Sequence, residues 1–412
     1  KIGKRCFISP ENGGFREIDF MDIGDDAVLM TPHIHAHYTD HGTLQFCGIK
    51  IGDGAVCNAG SSIMPLTTYG DGCHLRPFTN TLKGQHCEAG AGYYGNPAVK
   101  VLPMRPKAAV LFPGQGAQFI GMFDTLIKFK TAAALVARAS EILGYDLHAV
   151  ASAPHTADEL NDTAIAQPAL FVAELAAAEM MRELRPEEME CAVYAAGFSL
   201  GEVSALVFSG ALSFDAGLRL VRMRAEAMKS CQGGAMANLR GVRRSEAHRL
   251  ARESGATIAN FCVDFGDDGP WEKNIYVLGG DPVAIEKLVA SNGSSAKKLR
   301  TVAGAFHTRQ MAPAQKALRR AVKAAPLVMP QRCMVYSNAT GEPYTSVSEM
   351  RKLLVRQIVA PVLWHRIVLH MQQQERVARF IEIGPLNQLS KMMGAMDTSA
   401  AETMIASHDV AK

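Results

Sequence analysis

The chain has 412 residues, 48% of them hydrophobic and 20% charged, with 43 basic against 40 acidic side chains. At about 150 residues per domain this length holds two or three domains, and the composition excludes a disordered or collagen-like chain. A net charge of +3, with no run of about five or more like charges, gives no basic stripe, so no nucleic-acid partner is expected.

No uninterrupted apolar run approaches the roughly 18 residues of a transmembrane helix, so no membrane partner is expected. The chain opens at Lys1 rather than Met, and KIGKRCFISP lacks the apolar stretch of a signal peptide. It therefore reads as a piece of a longer chain whose targeting segment is out of view. Nine cysteines without a CxxC pair fit free thiols in a reducing, intracellular compartment, mitochondrial or cytoplasmic.

In chain order, a period of six comes first. Ile51, Cys57, Ile63, Tyr69 and Leu75 share one phase, and Ala55, Ser61, Thr67, Cys73 and Thr79 share the phase of small residues between them. A bulky and a small residue in alternation let short parallel strands stack in coils with tight corners. The phase is already present at Ile23, Ala27 and Leu29, before Thr39 to Gly48 interrupts it as an expected loop. Residues 20–100, down to Tyr94-Gly95-Asn96-Pro97-Ala98, resemble the left-handed parallel β-helix of the hexapeptide-repeat transferase family. Its first coils look cut short, so the β-helix of residues 1–100 is expected to be incomplete. Four histidines in it, His33, His35, His37 and His41, alternate near the expected loop and read as solvated rather than as a zinc site.

Residues 101–107 carry two prolines and read as a linker. From Ala108 to Phe112 an apolar strand runs into Pro113-Gly114-Gln115-Gly116, and Cys191 to Ala196 predicts a second buried strand, with a helix over Glu202 to Ser209. Strand, glycine turn and helix in alternation imply an α/β sheet. Between about 234 and 302 the order becomes strand (Ala235 to Leu239), helix (Ser245 to Glu253), strand (Ala256 to Cys262), strand (Asn274 to Gly279), helix (Asp281 to Ala290), strand (Lys297 to Val302). That order is a ferredoxin-like insertion. Phe380 to Pro385 reads as a last buried strand and turn.

Gly197-Phe198-Ser199-Leu200-Gly201 fits the nucleophile elbow, whose flanking glycines allow a strained turn that lifts the serine hydroxyl clear of the sheet. A serine needs a base. His307, between an expected strand and an expected helix, is the best placed of thirteen histidines, although a helix-capping or core role fits the same spacing. Arg219, Arg222 and Arg224 share one helix, and spacing does not separate them. Glu382, at the end of a buried strand before Gly-Pro, reads as a structural hydrogen-bonding group.

Seven motifs occur together: Phe112-Pro113-Gly114-Gln115-Gly116-Ala117-Gln118, Ala166-Gln167-Pro168-Ala169, GFSLGEVSAL, Met223-Arg224 before Met228, GAFHTR, Gln357 before Pro361-Val362 and Trp364, and Glu382-Ile383-Gly384-Pro385. In this order they resemble the malonyl-CoA:acyl carrier protein transacylase family from about residue 108 to 395, and the Gly-Phe-Ser elbow with GAFHTR is similar to its mitochondrial type. The resemblance implies an α/β-hydrolase-like acyltransferase core in residues 108–412, carrying the ferredoxin-like subdomain. It implies transfer of malonyl from coenzyme A to the phosphopantetheine thiol of acyl carrier protein, for fatty acid or polyketide synthesis. Carried over by residue, it implies Ser199 as nucleophile, His307 as base and later acid, and the backbone N–H groups of Gln115 and Leu200 as oxyanion hole. Arg224 would pair with the malonyl carboxylate, Gln167 and Phe306 would line the substrate pocket, and Gln357 would orient His307 through its carbonyl. No cofactor or metal is implied, the coenzyme A thioester being substrate, and the β-helix implies contacts for oligomerisation.

Two departures, a short route from Arg224 to Gly234 and a polar insertion from Asp264 to Glu272, are expected at the cleft rim where the carrier docks. Two other readings stay open. One is a serine thioesterase or esterase, which has no use for an arginine facing the acyl group. The other is a non-catalytic scaffold that binds acyl carriers, for which Ser199, His307 and Arg224 would be superfluous.

Overall fold

Parallel strand register in the first hundred residues repeats every 18 residues: Lys50 lies opposite Thr68 and Thr68 opposite His86, Val56 opposite His74 and His74 opposite Gly92. Three six-residue steps thus make one turn of a coil in this computed structural model. It describes residues 1–8, 18–29, 33–57, 60–76, 78–101, 107–152, 157–231, 233–299, 302–375, 377–396 and 404–410. The chain divides into two compact units, Lys1–Arg105 and Pro106–Lys412. In the first, both phases of the six-residue period point inward, and Ile51, Cys57, Ile63, Tyr69 and Leu75 are buried with Ala55, Ser61, Thr67, Cys73 and Thr79. One corner is stitched by aspartates: Asp25 donates its N–H to Asp53 Oδ1 at 2.7 Å, and Asp53 donates its own to Asp71 Oδ1 at 2.9 Å. A Cβ at Gly24 or Gly52 would fall 2.6 Å from the next coil's backbone nitrogen, so stacking itself requires glycine there.

The segment expected as a loop is a hairpin, His37–Asp40 against Thr43–Phe46, turned by His41 and Gly42 at positive φ. Its two strands pair with each other and so satisfy backbone groups that a loop reading of turn-rich sequence leaves out. Because the hairpin is inserted, Val28 pairs with Val56 and not with a residue one regular turn on. Among the described residues no group of three or more His, Cys, Asp or Glu side chains could hold a metal. Of the expected linker, residues 102–106 lie outside the described residues.

The second unit is built on a parallel five-stranded sheet in the order Met334–Val335, Ala192–Gly197, Ala108–Phe112, Arg379–Glu382, Met404–Ala406. Arg379–Glu382 is therefore not the last strand, and Met404–Ala406 adds the edge beside it. Neither short edge strand has the apolar length that marks a strand in sequence. Helix Thr163–Leu184 is long and apolar enough to cross a membrane by length and composition, yet 83% of its most apolar window is buried inside the protein. It packs against Lys130–Leu143 and Phe214–Ser230 as the core helix.

Inserted in this unit is an antiparallel sheet in the order Thr257–Val263, Ile275–Gly280, Ala235–Arg240, Ala296–Lys298, carrying helices Arg244–Ser254 and Pro282–Asn292. Its fourth strand lies earlier than Lys297 to Val302, because only Ala296 to Lys298 find partners on the strand Ala235–Arg240.

Glu382, buried, accepts N–H bonds from Leu389 at 2.7 Å and Ser390 at 2.8 Å, opening the helix Gln388–Met396. Burial raises its carboxyl above the usual range, opposed by these donors. Glu382→Ala strands both amides without an acceptor and is expected to cost about 2 kcal/mol. The urea midpoint checks it, and an unshifted midpoint would show that water replaces the carboxylate.

Candidate active site

Ser199 sits between the strand Ala192–Gly197 and the helix Gly201–Phe208, at φ 55°. A non-glycine residue in that region is strained, and close packing on both sides enforces it. A Cβ at Gly197 would fall 1.7 Å from the Gly201 carbonyl carbon, and one at Gly201 would fall 2.3 Å from the Phe112 oxygen. Asn338 clamps the turn from the loop after Met334–Val335. Its Oδ1 accepts the Ser199 N–H at 2.6 Å, and its Nδ2 donates to the Gly197 oxygen at 2.6 Å.

His307, also at positive φ, 59°, meets the serine Oγ with Nε2 at 2.7 Å, while Nδ1 faces the Gln357 carbonyl at 2.8 Å. A carbonyl only accepts, so Nδ1 carries the proton and Nε2 keeps its lone pair for the serine hydroxyl. Burial lowers the imidazole to about 4, with Arg224 pushing the same way and the Gln357 carbonyl opposing. The ring is thus neutral near pH 7 and competent to take a proton.

Of the three arginines on helix Phe214–Ser230, Arg219 pairs with Asp215 and Arg222 with Glu226 in solvent, while Arg224 is buried. Arg224 Nη1 donates to Gln167 Oε1 at 2.6 Å, and Nη2 donates to Ser199 Oγ at 3.0 Å and Gln357 Oε1 at 3.1 Å. Its acceptors are neutral, and desolvation lowers the guanidinium to about 10 despite the charge of Glu202. A cation kept this way beside a serine hydroxyl can bind a carboxylate.

The amides around the serine are distributed unequally. Gly114 donates to Gln388 Oε1, Gly116 to Gln118 Oε1 and Gly201 to the Phe198 oxygen, whereas the N–H groups of Gln115 and Leu200 have no protein acceptor among the described residues. Two free amides bordering the nucleophile can stabilise a developing oxyanion. Gln115, Ser199, Phe306 and His307 line one wall of a cleft of about 500 Å³, and Met236, Asn238, Arg240 and Asn260 of the inserted sheet line the other. The polar insertion 264–272 supplies no lining residue to this cleft. Asp264 instead pairs with Arg244 at 2.8 Å and accepts the Tyr276 hydroxyl.

Two residues of the site, Asn338 and Glu202, are not singled out by the sequence motifs. Asn338 carries no local signal. Glu202, three residues past Ser199 in the elbow motif, is fully buried and accepts bonds from Gln357 Nε2 at 2.6 Å, from the Tyr344 hydroxyl and from the Asn338 N–H. Burial raises its carboxyl to about 7, against the pull of these donors and of Arg224.

Residues 110–406 match the acyl transferase domain family. The chain is 35% identical over 310 residues to a human malonyl-CoA-acyl carrier protein transacylase, mitochondrial, covering 71% of this chain and 78% of that protein. To its Mus musculus counterpart it is 33% identical, covering 71% and 80%. Among solved structures, the malonyl CoA-acyl carrier protein transacylase of Coxiella burnetii superposes with a TM-score of 0.67 at 27% identity, covering 74% of this chain and 95% of that one.

A base with its pKa at about 4 acts above that pH. Labelling of Ser199 by a fluorophosphonate should therefore rise through pH ~4 and stay level between about pH 5.5 and 7.5. A midpoint near the ordinary histidine value would show that the imidazole is solvated.

Proposed function

This chain belongs to the acyl transferase domain family, among malonyl-CoA:acyl carrier protein transacylases, and on that premise we propose how its residues move a malonyl group from coenzyme A to the phosphopantetheine thiol of acyl carrier protein. The observation that carries the proposal is the buried Arg224, 3.0 Å from the serine Oγ with only neutral acceptors around it. The malonyl carboxylate supplies the missing anion and draws the thioester carbonyl to Ser199. Ser199 Oγ attacks that carbon as its proton passes to His307 Nε2, and the carbonyl oxygen gathers negative charge facing the Gln115 and Leu200 amides. Collapse breaks the C–S bond, and the departing thiolate takes the proton from His307. The carrier's thiol then repeats the steps in reverse, giving its proton to His307 as its sulfur attacks the malonyl-serine ester. Gln357 orients the base through its backbone carbonyl, Gln167, expected in the pocket wall but not among the residues lining the cleft, steadies Arg224 instead, and Phe306 crowds a methyl branch on the acyl α-carbon.

The thioester chemistry needs no resident cofactor. We also read the first unit as a β-helix from its 18-residue register, left-handed as the resemblance to the hexapeptide-repeat family implies, with oligomer contacts as its use. The core reads as α/β-hydrolase-like with a ferredoxin-like insertion, from its strand orders. A mitochondrial location is proposed from the names of the relatives.

Mass spectrometry of Ser199 after exposure to a panel of acyl-CoA thioesters, followed by transfer of radiolabelled malonyl to added carrier protein, tests the function. Release of free malonate in place of carrier loading would make the protein a hydrolase. Acetyl leaves the Arg224 cation unpaired at a cost of about 3 to 5 kcal/mol. Arg224→Ala should therefore collapse a malonyl-over-acetyl preference of about two to three and a half orders of magnitude. The ratio of kcat/KM for the two substrates measures it, and an unchanged ratio would move carboxylate recognition elsewhere.

A further inference from the structure

Gln357 does two jobs with different parts. Its backbone carbonyl holds His307, and its side-chain amide lies between Glu202 and Arg224. That amide has one acceptor and two donors. Nε2 donates to Glu202 Oε2 at 2.6 Å and to the Ser199 carbonyl at 2.8 Å, while Oε1 receives Arg224 Nη2 at 3.1 Å. Rotating the amide by half a turn would set its oxygen against a carboxylate and a carbonyl, and its NH₂ against a guanidinium. All three contacts would become repulsive, so one orientation is locked.

From this geometry we infer that Glu202 is a specificity-positioning residue: through the Gln357 amide it holds Arg224 against Ser199 Oγ, and it does so without touching the cation. A carboxylate in direct contact with the guanidinium would satisfy it and leave nothing for the acyl carboxylate to bind. An amide between them passes on the orientation and keeps the two charges out of direct contact. The remaining lone pairs of Glu202 meet the Tyr344 hydroxyl and the Asn338 N–H, which are donors as well, so the carboxylate acts as acceptor throughout. Glu202 touches no reacting atom, and its influence is on which acyl group is accepted.

The inference rests on malonyl transfer as the reaction, and the test separates the two. Parent, Glu202→Gln and Tyr344→Phe are assayed with malonyl-CoA and acetyl-CoA, and Ser199 labelling by a fluorophosphonate monitors the serine and its base. In Glu202→Gln the side chain loses its charge and keeps one acceptor oxygen for the three donors around it, which weakens the lock. The malonyl KM should rise and the malonyl-to-acetyl ratio of kcat/KM should fall about tenfold, with the labelling rate reduced far less. Tyr344→Phe, which removes one donor to the same carboxylate, should shift the ratio in the same direction by a smaller factor. Equal losses on both substrates, or an unchanged ratio, would make Glu202 a scaffold residue and overturn the inference. If Glu202→Gln fails to fold, the ratio in Tyr344→Phe decides. A parent protein that loads Ser199 with acetyl as readily as with malonyl would overturn the proposed function first, and this inference with it.

Discussion

Burial of the Arg224 guanidinium among neutral oxygen atoms is the constraint around which the site is arranged. A desolvated cation repels protons from its neighbours, and His307 is held neutral partly for that reason. The same cation donates to the serine Oγ, so in the proposed reaction one side chain would stabilise charge developing on Ser199 and meet the charge that arrives with the substrate. Supplying a direct carboxylate would relieve the desolvation and, in the proposed reaction, leave nothing for the malonyl carboxylate to bind. The protein instead surrounds the group with amide oxygens from Gln167 and Gln357.

Holding such a group requires stiffness nearby, and the backbone provides it. Ser199 and His307 both adopt positive φ, conformations that persist only where surrounding contacts outweigh the local cost. For Ser199 those contacts are the Asn338 clamp and the packing of Gly201 under the Phe112 carbonyl. The parallel sheet brings these parts together, since Ala108–Phe112 and Ala192–Gly197 are adjacent strands whose C-terminal ends carry the Gln115 and Ser199 turns. Loops at one end of a parallel sheet are where such folds concentrate their chemistry.

Helix phase held more information than spacing between motifs suggested. On Phe214–Ser230, Leu220, Val221, Arg224 and Met228 share a buried face, and positions three and four apart on a helix lie on one side. An arginine in the middle of an apolar stripe is a signal that separates Arg224 from Arg219 and Arg222, which fall on the solvent side.

What the sequence determined by itself is local. The six-residue period, the strand, turn and helix order and the paired glycines of the elbow each follow from residues close in the chain, where steric rules act without help from distant partners. Tertiary structure decided the rest. Asn338 meets Ser199 across 139 residues and Gln357 meets Glu202 across 155, and no periodicity records such encounters. Their partners are single hydrogen-bonding groups whose value appears only once water has been excluded around them. The edge strands Met334–Val335 and Met404–Ala406 are of the same kind, because segments of two and three residues become strands only when a sheet already stands beside them.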